Sequence, residues 1–218
     1  MRKTASSTRA SSHYETQPGR HLYFRRRLQH GSADPRGTSA RFSGGNRSGL
    51  SDKAEAGGLA KAEAAGIATQ VFKRKDFASK EAHEDAILAA LDVLKPDIIC
   101  LAGYMRLLSG RFIAPYEGRI LNIHPSLLPL FPGLHTHQRA LDAGMKLAGC
   151  TVHLVTEGMD EGPILAQAAV PVLDGDTAET LAARVLKAEH RLYPLALQKF
   201  AAGEKASNQF SDGMVLSA

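Results

Sequence analysis

The chain has 218 residues, of which 44% are hydrophobic, and a formal net charge of +5. This length suits one domain with a sizeable core, and no run of eighteen apolar residues is present that could cross a membrane. The charge is uneven: residues 1–50 carry ten Lys or Arg against two acidic residues, whereas residues 51–218 carry 17 basic and 20 acidic residues. The basicity therefore belongs to one segment, and we expect neither a nucleic-acid partner nor a membrane partner.

The two cysteines, Cys100 and Cys150, both lie in apolar stretches. They are typical of buried thiols in a reducing compartment, and no apolar segment of a secretory signal follows the N-terminal charges. These features favour a cytoplasmic protein.

From residue 51 onward, helices and strands alternate. The first predicted helices are 53–65 and 79–94, and Ser79 is the N-cap of the second. A helix of about ten residues is predicted after Leu108, and another at 136–144. The last predicted helix begins at a capping box of Asp176 and Glu179 and runs through His190. The predicted strands are 67–72, 98–102, 119–124, 150–155 and 166–172. This alternation predicts an α/β fold, with a Rossmann-like, doubly wound and mostly parallel sheet that has helices on both faces. Ligands bind such sheets beyond the carboxyl ends of the strands.

Residues 1–50 have a different character. Ser, Arg, Gly and His dominate this segment, and it has no sustained period of a helix or a strand. We therefore divide the chain into an atypical, poorly ordered basic segment, 1–50, and a folded domain, 51–218. A domain that starts with the helix at Lys53 lacks its first strand, which is unusual for this fold class. A non-enzymatic binding module with a basic tail is the alternative class of function.

The segment 120–129 carries the densest chemistry. Alternation along a strand puts Asn122 and His124 on one face, and Pro125 ends the strand just after them. His153 lies in another predicted strand, and Asp160 lies in a Gly-rich loop. Together these groups could perform general acid–base catalysis, with His124 moving a proton, Asp160 stabilising its cation and raising its pKa, and an amide stabilising an oxyanion. The pattern predicts acyl transfer without a covalent intermediate.

Three other chemistries are open to these residues. A zinc site could use His135 and His137 with His124 or His153, although no Cys lies close in sequence. Serine hydrolysis would need Ser126, which is not in a G-x-S-x-G turn. Cys150 could be a nucleophile, but core packing explains its apolar context better.

The chain resembles a known family in three stretches. They are LNIHPSLLPLFPGLHTHQRALDAGMKLAGCTVHLVTEGMDEGPILAQ (121–167), LAGYMRLLS (101–109) and AEHRLYP (188–194). These are similar to the glycinamide ribonucleotide formyltransferases, within the wider group of enzymes that use 10-formyltetrahydrofolate, and the likeness covers residues 51–203. The phrase PGLHTHQRAL favours this family over the deformylases and the methionyl-tRNA formyltransferases.

The resemblance implies a function and a set of site residues. The reaction would move a formyl group from 10-formyltetrahydrofolate to the amine of glycinamide ribonucleotide, in purine synthesis and without a metal; a deformylase, with water as acceptor, is the alternative. The implied catalytic residues are Asn122, His124 and Asp160. The implied folate-binding residues are Lys80, Met105, Arg106, Leu107, Leu108, Asn122 and Val155. The implied nucleotide-binding residues are Glu189, Gly103, Pro125 and His153. The partners would be these small molecules, and the resemblance leaves a homodimer open.

Lys80 stands where this family often has Arg, which keeps the charge but not the planar fork. The larger departure is at the N-terminus, where the family has an apolar strand followed by a Gly-rich loop that cradles the substrate phosphate at a helix N-terminus. RHLYFRRRLQHG (20–31) can be encoded so that reading one base later spells VIFISGGGSNM, and 42–49 can likewise yield FPAEIVAV. We therefore hypothesise that residues 1–50 are translated out of frame.

Overall fold

The computed structural model describes residues 21–25, 48–203, 209–211 and 214–216. Within them, nine strands form one sheet. The strands are β1 His21–Arg25, β2 Ser48–Ser51, β3 Ala68–Val71, β4 Ile98–Ala102, β5 Ile120–His124, β6 Leu147–Leu154, β7 Ile164–Pro171, β8 Gln209–Ser211 and β9 Met214–Leu216. The α-helices are α1 Gly57–Ala64, α2 Lys80–Leu94, α3 Gly110–Ile113, α4 Thr136–Asp142 and α5 Ala178–Ala202. None of the described helices combines the length and apolar composition needed to cross a bilayer.

The sheet is mixed, with the strand order β3-β2-β1-β4-β5-β6-β7-β9-β8. Two of the described pairs are parallel, β2 with β3 and β4 with β5, and the other pairs are antiparallel. The predicted α/β fold with helices on both faces is confirmed, but the sheet has more antiparallel pairs than the alternating pattern alone suggests. A short connection such as the one between β6 and β7 joins antiparallel neighbours, because a parallel crossover needs a dozen or more residues.

Two apolar cores cover the two faces of the sheet. Leu121 and Ile123 of β5 pack with Leu181 and Val185 of α5 on one face. On the other face Ile120 packs with residues of α2 and α3, among them Ile87, Leu91 and Phe112. Because side chains alternate along a strand, Asn122 and His124 share the face of Ile120. The face that α5 covers and the face that α2 and α3 cover are called the α5 face and the α2 face below.

The predicted cap of α2 is confirmed, and that of α5 is wrong. The Ser79 hydroxyl accepts a hydrogen bond from the Ala82 amide at the start of α2. At α5 the N-cap is Thr177, which forms a capping box with Thr180. Asp176 instead accepts two hydrogen bonds from the Arg184 guanidinium, at 2.6 and 2.9 Å. The guanidinium matches the carboxylate with two parallel hydrogen bonds, whereas a cap position would offer Asp176 one backbone amide, so the carboxylate faces the arginine.

Two predicted helices are shorter than expected. In place of about ten helical residues after Leu108, the structure has the four-residue α3 and a 3-10 turn, Ala114–Tyr116. Pro115 lacks the amide hydrogen that a continuing helix would use. The first helix begins at Gly57 rather than Lys53, because the Ser51 hydroxyl bonds both the amide and the carbonyl of Lys53 in a local turn.

The expectation that no strand precedes the first helix does not hold. β2, Ser48–Ser51, spans the predicted boundary at residue 50, and it pairs with β3 in parallel. β1 lies between β2 and β4 and runs antiparallel to both. The rest of residues 1–50 lies outside the described part of the chain.

Candidate active site

The site lies at the carboxyl end of β5, where Asn122 and His124 project from the α2 face. β6 pairs with β5 in the register that puts His153 opposite Asn122. His124 and His153 are 6% and 3% exposed. The strand pairing therefore brings an amide and two imidazoles together in a largely dry setting, as the alternation along β5 predicts for the first two.

The hydrogen bonds of His153 determine its tautomer. Its Nδ1 lies 2.9 Å from the Leu154 carbonyl oxygen, which can only accept, so Nδ1 carries the proton. Burial lowers the pKa of His153, which favours the neutral ring. Its Nε2 is then an acceptor, and the Asn122 amide nitrogen lies 3.2 Å from it. His153 thus orients the Asn122 amide and takes one of its two N–H bonds.

His124 faces an acceptor at each ring nitrogen. Its Nε2 lies 3.1 Å from the Phe131 carbonyl oxygen, and its Nδ1 lies 3.3 Å from Asp160 Oδ2. A neutral imidazole has one N–H and can satisfy only one of these acceptors, whereas an imidazolium satisfies both. The Phe131 carbonyl and the Asp160 carboxylate thus offer one acceptor to each ring nitrogen of His124.

The loop between β6 and β7 presents Asp160 to this pair of histidines. Asp160 has a φ of 54°, in the left-handed region that Asp tolerates better than most residues. Its Oδ2 accepts a hydrogen bond of 2.8 Å from the Gly133 amide, and its Oδ1 lies 3.8 Å from His153 Nε2. At Gly162 a Cβ would collide with the Leu154 carbonyl oxygen, so the tight closure of this loop needs glycine there.

The arrangement can stabilise an oxyanion and move a proton, but it presents no nucleophile of its own. The Ser126 hydroxyl is buried and donates to the Leu130 carbonyl oxygen at 2.6 Å. Cys150 is fully buried on the α5 face, and burial raises the pKa of its thiol to about 12. Neither side chain is available to form a covalent intermediate at neutral pH.

The histidines do not assemble into a zinc site. His135 is exposed at the start of α4, and burial lowers the pKa of the half-buried His137. His124 and His153 use their ring nitrogens in the contacts described above. Among the residues that the structure describes, no group of three His, Cys, Asp or Glu side chains could hold a metal ion.

The sequence also matches a known protein family. The sequence model of the family described as formyl transferase matches residues 39–197. The chain belongs to the formyl transferase family.

Several relatives are closely similar. Over 154 residues, 71% of this chain, it is 48% identical to the phosphoribosylglycinamide formyltransferase of Escherichia coli, of which the match covers 73%. It is 51% identical to the trifunctional purine biosynthetic protein adenosine-3 of Bos taurus over the same share of this chain, but spans only 15% of that protein. A crystal structure of the phosphoribosylglycinamide formyltransferase of Brucella melitensis is 92% identical, with a TM-score of 0.67, covering 78% of this chain and 82% of that one.

The residues that the resemblance assigns to folate lie mainly on the connection after β4. It begins at Gly103, with a φ of 63°, and it exposes Met105 and Leu107, while Leu108 is buried in the core of the α2 face. Arg106 lies 3.4 Å from the buried carboxylate of Asp52. Val155 packs against the same core and donates its amide to the Ile120 carbonyl oxygen.

A buried carboxylate joins this connection to α2. Glu84 accepts hydrogen bonds from the amide and the hydroxyl of Ser109, which is the N-cap of α3. Lys80 Nζ lies 3.6 Å from Glu84 Oε1. Lys80 is therefore placed beside the 103–109 segment through Glu84, a link that the sequence did not reveal.

The predicted nucleotide residues do not all meet at one place. Pro125 directly follows β5, and His153 lies beside Asn122 and near Asp160. Glu189 lies on the α5 face, near enough to Cys150 to help raise the pKa of that thiol. Burial raises the pKa of Glu189 itself to about 7. Glu189 is thus on the opposite face of the sheet from Asn122 and His124.

Sequence reasoning missed the backbone groups that complete the site. The Phe131 carbonyl and the Gly133 amide hold His124 and Asp160, and both residues have positive φ, 55° and 80°. The Pro-Gly pair at 132–133 signals a turn. Nothing in the sequence says which carbonyl and which amide that turn presents to the site.

Proposed function

We propose that the protein transfers a formyl group from 10-formyltetrahydrofolate to the amine of glycinamide ribonucleotide. The observation that carries this proposal is the oriented Asn122 amide next to the His124–Asp160 pair, with no side-chain nucleophile beside them. The names of the relatives support this donor and acceptor, since those from Escherichia coli and Brucella melitensis are called phosphoribosylglycinamide formyltransferases. Water as the acceptor, which would make the protein a deformylase, is the second candidate.

In the proposed reaction the amine attacks the formyl carbon, a new C–N bond forms, and the carbonyl oxygen becomes an oxyanion. The Asn122 N–H that His153 does not use donates to this oxygen, and the His124 imidazolium stabilises its charge. The intermediate collapses when the bond from the formyl carbon to N10 of the folate breaks. The His124 imidazolium donates a proton to N10, and the neutral ring then takes the proton that the amine loses, so that the ring, beside Asp160, is an imidazolium again at the end.

Folate and nucleotide would approach from different sides of this centre. The exposed Met105 and Leu107 offer apolar surface for the pterin, and the backbone of 103–108 offers hydrogen bonds. Glu189 would accept from hydroxyl or amine groups of the nucleotide, which supply the donors that its apolar surroundings lack. Cys100 and Cys150 are buried thiols and not a disulfide, which supports the cytoplasmic location that we propose.

The proposal also includes an out-of-frame origin for residues 1–50. Within β1, His21 pairs with Ala102 and Arg25 with Ile98. The carboxyl end of β1 is therefore at the amino end of β4, the edge of the sheet away from His124. A phosphate loop that follows the first strand must leave from the edge where the active site lies, so the segment as written does not supply one. Coding DNA that yields no apolar strand and no Gly-rich loop in the shifted frame would refute this origin.

One assay separates the candidate functions. Tetrahydrofolate release from 10-formyltetrahydrofolate would be measured with and without glycinamide ribonucleotide, for the chain as printed and for a frame-restored chain. We expect release only with the nucleotide, and a lower KM for the nucleotide in the frame-restored chain. Release that does not depend on the nucleotide would identify a deformylase. No release from the frame-restored chain in either condition would overturn the proposal.

A further inference from the structure

We propose that Arg139, on α4, is a positioning residue for the His124–Asp160 pair. Its Nη1 lies 2.6 Å from the Pro132 carbonyl oxygen and 3.4 Å from the Leu134 carbonyl oxygen. Its guanidinium carbon lies 5.4 Å from the centre of the Phe131 ring. One side chain therefore contacts three residues of the turn at 131–134, by hydrogen bonds and by a cation–π contact.

The same turn supplies the backbone groups that hold the catalytic pair. The Phe131 carbonyl accepts from His124 Nε2 at 3.1 Å, and the Gly133 amide donates to Asp160 Oδ2 at 2.8 Å. Arg139 contacts the ring of Phe131 and the carbonyl oxygens of residues 132 and 134. His124 and Asp160 contact the carbonyl of Phe131 and the amide of Gly133, so both sets of contacts lie within the same four residues. A shift of the turn would move the acceptor of His124 and the donor to Asp160 together.

The turn at 131–134 needs stabilising contacts from outside itself. Phe131 has a φ of 55°, in the left-handed region that a bulky residue rarely adopts, and this conformation persists only where the surroundings enforce it. The planar guanidinium can donate in its own plane and lie over an aromatic ring at once, which an ammonium does less well. Arg139 thus acts on catalysis through backbone groups, with no contact to the reacting atoms.

Arg119 offers a matched control at the other end of β5. Its guanidinium donates to the carbonyl oxygens of Pro96 and Pro115, at 3.2 and 2.6 Å, and lies 5.1 Å from the centre of the Tyr116 ring. It therefore makes the same two kinds of contact as Arg139, hydrogen bonds to two carbonyl oxygens and a cation–π contact. It does so just before Ile120, at the end of the strand away from His124.

The test compares Arg139→Met, Arg139→Lys and Arg119→Met in the full chain. A misplacement of about 1 Å can cost about 10²-fold in rate, so we expect Arg139→Met to lower kcat by about 10- to 100-fold with little change in either KM. Arg139→Lys should recover part of the loss. Arg119→Met should lower the thermal midpoint about as much as Arg139→Met, and leave kcat within about twofold.

The kinetic comparison rests on the proposed function, whereas a spectroscopic one does not. In protein labelled with ¹⁵N-histidine, Arg139→Met should shift the Nε2 signal of His124, because its acceptor moves, and Arg119→Met should not. Equal kcat values and unchanged His124 signals in both methionine variants would reduce Arg139 to a structural residue. If Arg139→Met does not fold, Arg139→Lys decides: wild-type kcat and wild-type His124 signals would overturn the proposal.

Discussion

The two faces of the sheet surround their ionisable groups with different partners. On the α2 face, at the carboxyl end of β5, the imidazoles of His124 and His153 have hydrogen-bond partners at both ring nitrogens. On the α5 face, Glu189, Cys150 and Tyr193 lie in an apolar core, and burial raises the pKa of each. Polar partners therefore surround the imidazoles, although burial lowers the pKa of His153, whereas on the α5 face desolvation acts against the charged forms of all three groups.

This difference explains why the proposed chemistry is confined to one face. A cation at His124 has Asp160 and a carbonyl beside it, so proton transfer there leaves no unpaired buried charge. An ionised Cys150 or Tyr193 would have no such compensation. Glu189 is the exception on the α5 face, since its proton is lost near neutral pH. A carboxylate held in this way is ready for a ligand that brings its own donors.

Loss of the Asn122 amide should have the largest effect. Asn122→Ala removes the group that His153 orients toward the oxyanion, and we expect kcat to fall by roughly 10²–10³. Steady-state kinetics on the frame-restored chain would measure it, with thermal unfolding as the check that the fold is intact. Turnover close to that of the wild type would contradict the assignment.

Glu189→Gln should stabilise the folded protein above neutral pH but weaken its binding of the nucleotide. The folded pKa of about 7 lies above the usual 4.5, so the folded state holds the proton longer and stability falls as pH rises from 4.5 through 7. The variant should therefore match the wild type at pH 4 and exceed its free energy of unfolding at pH 8 by at most about 3 kcal/mol. Urea unfolding at the two pH values tests this.

The same variant should bind the nucleotide less well, if Glu189 accepts hydrogen bonds from it. A higher KM for glycinamide ribonucleotide, with an unchanged KM for the folate, is the expected result. A stability gain that is equal at pH 4 and pH 8 would show that desolvation of the carboxylate is not the cause.

Tyr193→Phe should have a smaller, purely structural effect. The Tyr193 hydroxyl lies 2.9 Å from the Leu101 carbonyl oxygen and 3.0 Å from that of Leu121, so it links β4 to β5 beside the site. Loss of this buried hydrogen bond should lower the free energy of unfolding by about 1–3 kcal/mol. Urea unfolding would measure it, and a loss of kcat beyond about tenfold would indicate that the strand pair also positions Asn122.

The smallest expected effect concerns alkylation of the Cys150 thiol, which should hardly react in the folded protein. With a pKa of about 12 and no exposed surface, it should resist alkylation at pH 8 in the folded protein and react only after unfolding. Peptide mapping after treatment with iodoacetamide would detect this. Rapid labelling of the folded protein would mean that the α5 face opens to solvent.

Much of the fold was predictable, because short apolar runs and helix caps are local signals. Ile98–Ala102 is a strand as predicted, and α2 begins at the predicted Ser79 cap. The cap of α5 was not predictable in this way. Asp176 and Thr177 are both good caps, and the choice depended on Arg184, eight residues away along the chain.

The candidate active site was predictable in part for a similar reason. Strand alternation was enough to place Asn122 and His124 on one face, and Asp160 was predicted as the partner of His124 from its place in the Gly-rich loop, a role that the family resemblance then also implied. The turn at 131–134 and its contact with Arg139 were not predictable, since they depend on backbone angles and on a helix that packs against the turn. The sequence likewise did not show that Glu189 lies on the other face of the sheet.

The sequence by itself determined the α/β class, the order of most elements, the family and the residue types that meet at the end of β5. These follow from periodicity and from motifs within a few residues of one another. Only the tertiary structure decided the direction of β1, the tautomer of His153, the two acceptors of His124 and the half-buried position of Glu189 on the α5 face. Each of these depends on groups distant in sequence that are brought within hydrogen-bond range or into a common apolar core, and on the desolvation that follows.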